Sequence, residues 1–227
     1  MIYSRITGML IGCATTLLVA SAGAQQAAAP AAAAGGEPAA PPSDVHNHDG
    51  FYLNLGLNFG YSMVSWSVDG AGSLDQDLSG LSSGFDLLIG GTPVPGLVIG
   101  GGLIGVRTSD PKIKTGSVET TADGTMLLAG LSLFGQYYFD PAEGFFLQGQ
   151  LGYAVLDFVN SNGSSGGNDP TGFLVGVGAG YDFWIGEQWS VGPVARFLYA
   201  STSVEAGAAK ATQSYLYPSL GVAFTLH

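Results

Sequence analysis

The chain has 227 residues, of which 46% are hydrophobic and only 10% charged, and 17 Asp and Glu against 6 Lys and Arg give a formal net charge of −11. So few basic residues cannot form the cationic face that nucleic acid demands, which excludes nucleic-acid binding. The lone cysteine, Cys13, excludes an intrachain disulfide framework.

The amino terminus reads as an export signal. Arg5 supplies a short positive region, residues 9–19 an apolar core, and Ala22-Gly23-Ala24 a small-x-small cleavage site, so the mature chain is predicted to begin at Gln25. The apolar core is too short to be a membrane-spanning helix. Leu10-Ile11-Gly12-Cys13 resembles a lipoprotein box and leaves an alternative open, in which Cys13 carries lipid instead. Residues 25–49 are rich in Ala, Pro and Gln and hold almost no large side chains, which predicts a disordered linker. His46 and His48 lie there with no Cys or third His nearby, so they read as part of a solvated tail rather than a metal site. Three segments follow: signal 1–24, linker 25–49, and a β-domain 50–227.

From Gly50 onward, eight runs alternate with a period of two. The first puts Phe51, Leu53, Leu55, Leu57, Phe59, Tyr61 and Met63 on one face and Asn54, Gly56, Asn58, Gly60 and Ser62 on the other. The second spans about 82–92, with Phe85, Leu87 and Ile89 opposite Asp86. The third, 97–107, contains Gly100-Gly101-Gly102, which leaves its facing undecided. The fourth, 125–139, turns Leu127, Leu131, Leu133, Tyr137 and Phe139 outward and Gln136 inward. The fifth, 145–157, places Gln148 and Gln150 inward. The sixth, 171–184, sets Phe173, Val175 and Val177 against Gly176, Gly178, Gly180 and Asp182. The seventh, 189–199, carries Arg196 inward, and the eighth covers 214–226. Pro193 and Pro218 fall inside the last two runs, near their expected ends.

Tight turns at 92–96, 140–144 and 185–188 alternate with long loops at about 67–81, 108–124, 158–170 and 200–213. High hydropathy without a helical span, and short turns on one rim with long loops on the other, predict an all-β, eight-stranded antiparallel up-and-down transmembrane β-barrel. Both termini then lie on the short-turn rim. Aromatic residues near strand ends are expected to form two interfacial girdles: Phe51, Trp66, Tyr137, Tyr138, Phe139, Phe145, Phe146, Tyr181, Phe183, Trp184, Trp189, Tyr199, Tyr215 and Tyr217. A soluble barrel that turns its apolar face inward to a ligand is the rival fold.

The last strand ends on Ser219-x-Gly221-x-x-Phe224-x-Leu226, with only His227 after it. On these residues, the signal and the loop alternation, residues 50–227 resemble the eight-stranded bacterial outer-membrane barrels of the OmpA-, OmpX- and OmpW-like group. The sequence departs from that group by ending the motif on Leu226 rather than an aromatic and by adding His227. It also has no peptidoglycan-binding domain after the barrel. The resemblance implies an outer-membrane location with long loops outside and termini in the periplasm. It also implies Ser219, Gly221, Phe224 and Leu226 as a barrel-assembly signal read by the assembly machinery. Outer-membrane lipid and lipopolysaccharide become the surroundings, and a monomer is expected.

Two motifs mislead. Gly100-x-Gly102-x-x-Gly105 matches a dinucleotide fingerprint but lies inside a strand, with no helix to receive the phosphates. Asp75-x-Asp77-x-Ser79-Gly80, followed by Asp86, echoes a calcium loop without the flanking helices. The inward polar residues carry more weight: Asp86, Gln136, Gln148, Gln150, Asp182 and Arg196 are expected to meet in the lumen as a structural polar plug. No catalytic residue, cofactor or metal is expected. His46, His48 and His227 all lie outside the long loops, where an outer-face active site would need a base. The function read from the sequence is therefore a non-enzymatic structural or surface-interaction role, with a narrow or gated channel for small, including hydrophobic, molecules as the alternative.

Overall fold

The computed structural model describes residues 50–68, 76–140, 142–160, 169–206 and 209–227. The expected signal with Ala22 and Ala24, Cys13, the linker, His46 and His48 lie outside the described residues, as does Asp75. The described strands are β1 (Gly50–Val68), β2 (Gln76–Val94), β3 (Leu97–Ser109), β4 (Lys112–Thr115), β5 (Val118–Thr121), β6 (Gly124–Tyr138), β7 (Phe145–Asn160), β8 (Thr171–Tyr181), β9 (Phe183–Trp184), β10 (Trp189–Ala206) and β11 (Ala209–Leu226).

Eight staves close on themselves. The neighbours run β1-β11-β10-β8-β7-β6-β3-β2, and β2 pairs back to β1. Every ladder is antiparallel. β9 continues the β8 stave after a break at Asp182. The break faces Pro193, which has no N–H to donate to the ladder. Pro218 acts similarly: the β1–β11 ladder skips Tyr61 and Ser62 between Gly60↔Ser219 and Met63↔Leu216, in unchanged register. Both prolines therefore sit well inside their strands rather than at the ends, and each coincides with a gap in the ladder. At Gly60 a Cβ would lie 2.1 Å from the Pro218 carbonyl oxygen, so only glycine permits this approach.

Strict alternation sorts the side chains. Phe59, Leu133 and Leu220 on the exterior are 72%, 72% and 70% exposed, and Leu55, Leu57, Leu131, Leu151 and Val177 join them around the wall. So large an apolar surface is stable only against a nonpolar surrounding. Asn54, Asn58, Ser132, Gln136, Gln148 and Thr225 are buried on the interior. This disposes of the ligand-in-lumen rival, because the apolar face looks outward. β3 resolves with Val98, Ile104, Val106 and Thr108 inward and Ile99, Leu103 and Arg107 outward. Its glycines are plain strand residues with no helix after them.

The staves run further than the sequence pattern indicated. β10 and β11 pair through Glu205↔Lys210 and Ala206↔Ala209, where a long loop was expected. The segment 108–124 is not a structureless loop but the β4–β5 hairpin, with β4 added to the edge of β2. Five of the fourteen expected girdle residues turn inward. Tyr138, Phe146, Tyr215 and Tyr217 are buried, and Trp66 packs on the buried cluster. Each shares the phase of polar residues on its own strand.

Two apolar clusters fill the lumen. Tyr52, Leu88, Val98, Phe134, Tyr138, Phe146, Val194 and Ala223 pack at the short-turn end. At the loop end a larger cluster includes Val64, Leu78, Met126, Leu128, Leu156, Leu174, Tyr215 and Tyr217. Between them lie the polar residues of the central lumen.

Candidate functional site

The centre of the lumen holds one ion pair. Arg196 on β10 reaches over β11 and β1 to Asp86 on β2, donating through Nη1 to Oδ2, and Asn58 Nδ2 on β1 donates to the same oxygen. Both side chains are almost fully buried. Gly56 makes the crossing possible: a Cβ there would lie 2.8 Å from Asp86 Oδ2 and 3.1 Å from Arg196 Nη1. The compensation is incomplete, since Arg196 Nε has no partner. A void of about 20 Å³ beside the pair, bounded by Asn58, Gln150, Tyr217 and Ser219, holds roughly one water's worth of space.

A column of amides runs from this centre toward the short-turn end. Gln150 Nε2 donates to Gln148 Oε1 (2.8 Å), Gln148 Nε2 to Gln136 Oε1 (2.9 Å), and Gln136 Nε2 to Tyr138 Oη (2.7 Å). Tyr138 in turn donates to Asp182 Oδ2 at 2.6 Å, and Tyr52 donates to Gln136 Oε1 at 3.1 Å. Alternation on β6 and β7 lines these groups up on adjacent staves, with Gln136 opposite Gln148.

The six residues expected in one plug therefore divide into two sets. Asp86 and Arg196 pair with each other. Gln136, Gln148, Gln150 and Asp182 join through Tyr138, which sequence reasoning had assigned to an outer girdle. Asn58, Gly56, Tyr52 and Tyr138 are the participants that were missed, although all four share the inward phase.

His227 does not trail from the barrel. Its ring is 3% exposed and lies among Trp184, Tyr52 and Tyr138, with centroids 4.7, 5.9 and 6.0 Å away. Nε2 is 3.0 Å from Ser190 Oγ and 4.0 Å from Asp182 Oδ2. Ser, His and Asp are thus adjacent, but the acid and the hydroxyl approach the same ring nitrogen. A nucleophile-activating triad places them on opposite ones. Of the carboxyl-terminal motif, Ser219 is buried on the lumen face and Gly221 shares that phase, while Phe224 faces out and Leu226 follows its phase. Asp77, from the calcium-like motif, accepts from Ser65 Oγ at 2.8 Å on the outer wall, far from Asp86 inside. Among the described residues, no group of three His, Cys, Asp or Glu is placed to hold a metal ion.

Among the described residues, both rims are acidic on balance: Arg107, Lys112, Lys114 and Lys210 are exposed at the loop end among the exposed Asp77, Asp110, Glu119, Asp123, Asp169 and Glu205, and Asp140, Glu143 and Glu187 are exposed at the short-turn end. Lys112 bridges to Glu119 at 3.0 Å, and that carboxylate holds the Lys112 proton more tightly than usual. At the same end, a cavity of about 160 Å³ is lined by Trp66, Leu78, Met126, Leu156, Phe158 and Val204, with Asp157 and Asp169 at its margin.

A closed antiparallel barrel with an apolar exterior and a polar interior defines a transmembrane β-barrel, because only such closure pairs all the backbone within a bilayer. The chain belongs to the autotransporter beta-domain family, whose model matches residues 57–225. Solved structures that it resembles include the outer membrane protein OprG from Pseudomonas aeruginosa, at 14% identity over 81% of this chain and 99% of that one, with a TM-score of 0.48. Ail, the attachment invasion locus protein of Yersinia pestis, is 16% identical over 78% of this chain and 99% of that one, with a TM-score of 0.38. The outer membrane protease OmpT from Escherichia coli is 11% identical over 79% and 97%, with a TM-score of 0.34. By sequence, no curated protein matches the chain. The fold assignment rests on the ladders and the family match rather than on these likenesses.

Proposed function

We propose that the protein is a non-enzymatic outer-membrane barrel with a structural or surface-interaction role, its long-loop rim outside the cell and its termini in the periplasm. The observation that carries this reading is the filled lumen. An apolar cluster closes each end, and the void beside the central ion pair is about 20 Å³. Such a core opposes the passage of water and ions. The apolar outer wall suits a lipid surrounding, and the carboxyl-terminal strand suits recognition by the assembly machinery.

Planar-bilayer recording tests the first part: the expected outcome is no steady conductance above that of the lipid, and stable open-channel currents would refute it. Orientation is tested on intact cells with single cysteines read by an impermeant maleimide. Lys114→Cys is expected to label and Glu187→Cys to stay protected until the envelope is permeabilised; the reverse pattern would invert the topology. The gated-channel reading draws on one specific feature, the column of side chains from Gln150 to Asp182, which runs along the barrel toward the short-turn mouth. It requires that Asp86→Asn with Arg196→Met produce conductance where the parent has none.

A further inference from the structure

The cavity at the loop end has a chemistry that the closed lumen does not need. The wall is incomplete there. The β7–β8 ladder stops at Val155↔Thr171 and the β10–β8 ladder at Ser203↔Thr171, whereas β7 continues to Asn160 and β10 to Ala206. Beyond Thr171 the gap is bridged by the Leu156 N–H donating to the Pro170 carbonyl at 2.9 Å. The cavity occupies this step, between Leu156 and Phe158 on one side and Val204 on the other, with Trp66 across the lumen.

Three observations converge on one ligand class. First, the space is about 160 Å³ and its walls are apolar and aromatic; an apolar cavity of about 150 Å³ takes a benzene. Second, two carboxylates share it. Asp157 and Asp169 both line it, and among the described residues no Lys or Arg does. Two acids in one partly desolvated site repel each other unless a cation or a proton intervenes. Third, two of the lining side chains, Trp66 and Phe158, are aromatic. The Trp66 and Phe158 rings also favour a cation over a neutral guest.

We propose that this step in the wall is a binding site for a small primary organic ammonium ion with a benzene-sized apolar body, its N–H groups donating to Asp157 and Asp169. Neutral and anionic analogues of the same size forfeit the charge-assisted bond. A quaternary ammonium has no N–H for either carboxylate. The site goes beyond the structural role and does not depend on it, since a barrel that conducts nothing still binds and a barrel that binds nothing is still closed.

The test uses the full chain folded in detergent and equilibrium dialysis of labelled benzylammonium, with folding checked by heat-modifiable gel migration. Saturable one-to-one binding is expected, with Asp157→Asn weakening it at least about tenfold. Benzyl alcohol, benzoate and benzyltrimethylammonium are expected to bind at least about tenfold more weakly. Val204→Trp fills the hollow while leaving both acids and is expected to abolish binding. Absence of saturable binding overturns the proposal, as does equal affinity for benzyl alcohol or benzyltrimethylammonium. Binding that survives both substitutions in the folded barrel also overturns it, since the amine then sits in the micelle or elsewhere on the protein.

Discussion

Replacing Arg196 by Met tests whether the lumen is held by its central ion pair. The substitution keeps much of the side-chain volume but removes the guanidinium, leaving Asp86 4% exposed with Asn58 as its remaining donor. A buried charge that loses its partner costs about 3–5 kcal/mol, a shift of roughly two to four powers of ten in the folding equilibrium. Asp86→Leu alone strands Arg196 in the same way. The double variant Asp86→Leu/Arg196→Met removes both charges, and the desolvation that the native pair suffers disappears with them. Because Arg196 Nε is already without a partner, the native pair is imperfect. The double variant is therefore expected within about 2 kcal/mol of the parent, and more stable than either single variant. Urea unfolding in phospholipid vesicles, followed through tryptophan emission, reads all four proteins. If Arg196→Met lay within about 1 kcal/mol of the parent, or if the single effects simply summed in the double variant, the ion pair would not be a coupled unit.

Gly56→Val puts atoms where Asp86 and Arg196 cross, and should destabilise by about 1–3 kcal/mol in the same assay. That loss should shrink when Asp86 is simultaneously Ala. Tyr138→Phe removes the donor to Asp182 and the acceptor for Gln136, with an expected loss of about 1–3 kcal/mol and no change in wall-facing properties. Leu133→Arg, on the exposed apolar belt, should cost about 2–4 kcal/mol in vesicles if it lies near the bilayer midplane. A neutral or stabilising result there would contradict the lipid-facing exterior.

The barrel was legible because alternation survives in most staves. Phe51 through Met63 state it without exception, and the face of the later strands follows from their polar phase except in β3, whose glycines hide it and whose Arg107 points outward. The pairing of Asp86 with Arg196 was legible only as a requirement, since one buried cation must meet an acid. That it crosses two staves over Gly56 depends on register, which no local pattern encodes. The inward tyrosines were legible and misassigned. Tyr215 and Tyr217 share the phase of Ser219 and Gly221, and Tyr138 that of Gln136, but proximity to strand ends was given precedence over phase. The β4–β5 hairpin was hidden for a different reason. Lys112, Lys114, Glu119 and Thr121 make a mostly exposed polar ribbon, and Ile113, its one side chain packed on the buried cluster, is too little to set a hydrophobic period. His227 gave no signal either, because a terminal residue belongs to no run.

The length of the staves sets how the protein meets its surroundings. β1, β2, β10 and β11 have 18 or 19 residues each. At roughly 3.3 Å per residue and a tilt of about 40°, such a strand climbs about 45 Å, against an apolar band of about 25 Å. Along these four staves some 20 Å of sheet is left over, like a chimney above a roof line. A large molecule approaching from that side first touches stiff, pre-formed backbone carrying Lys112, Lys114 and Lys210. Its docking then sacrifices little chain freedom, a saving that a rim of floppy connectors would not offer.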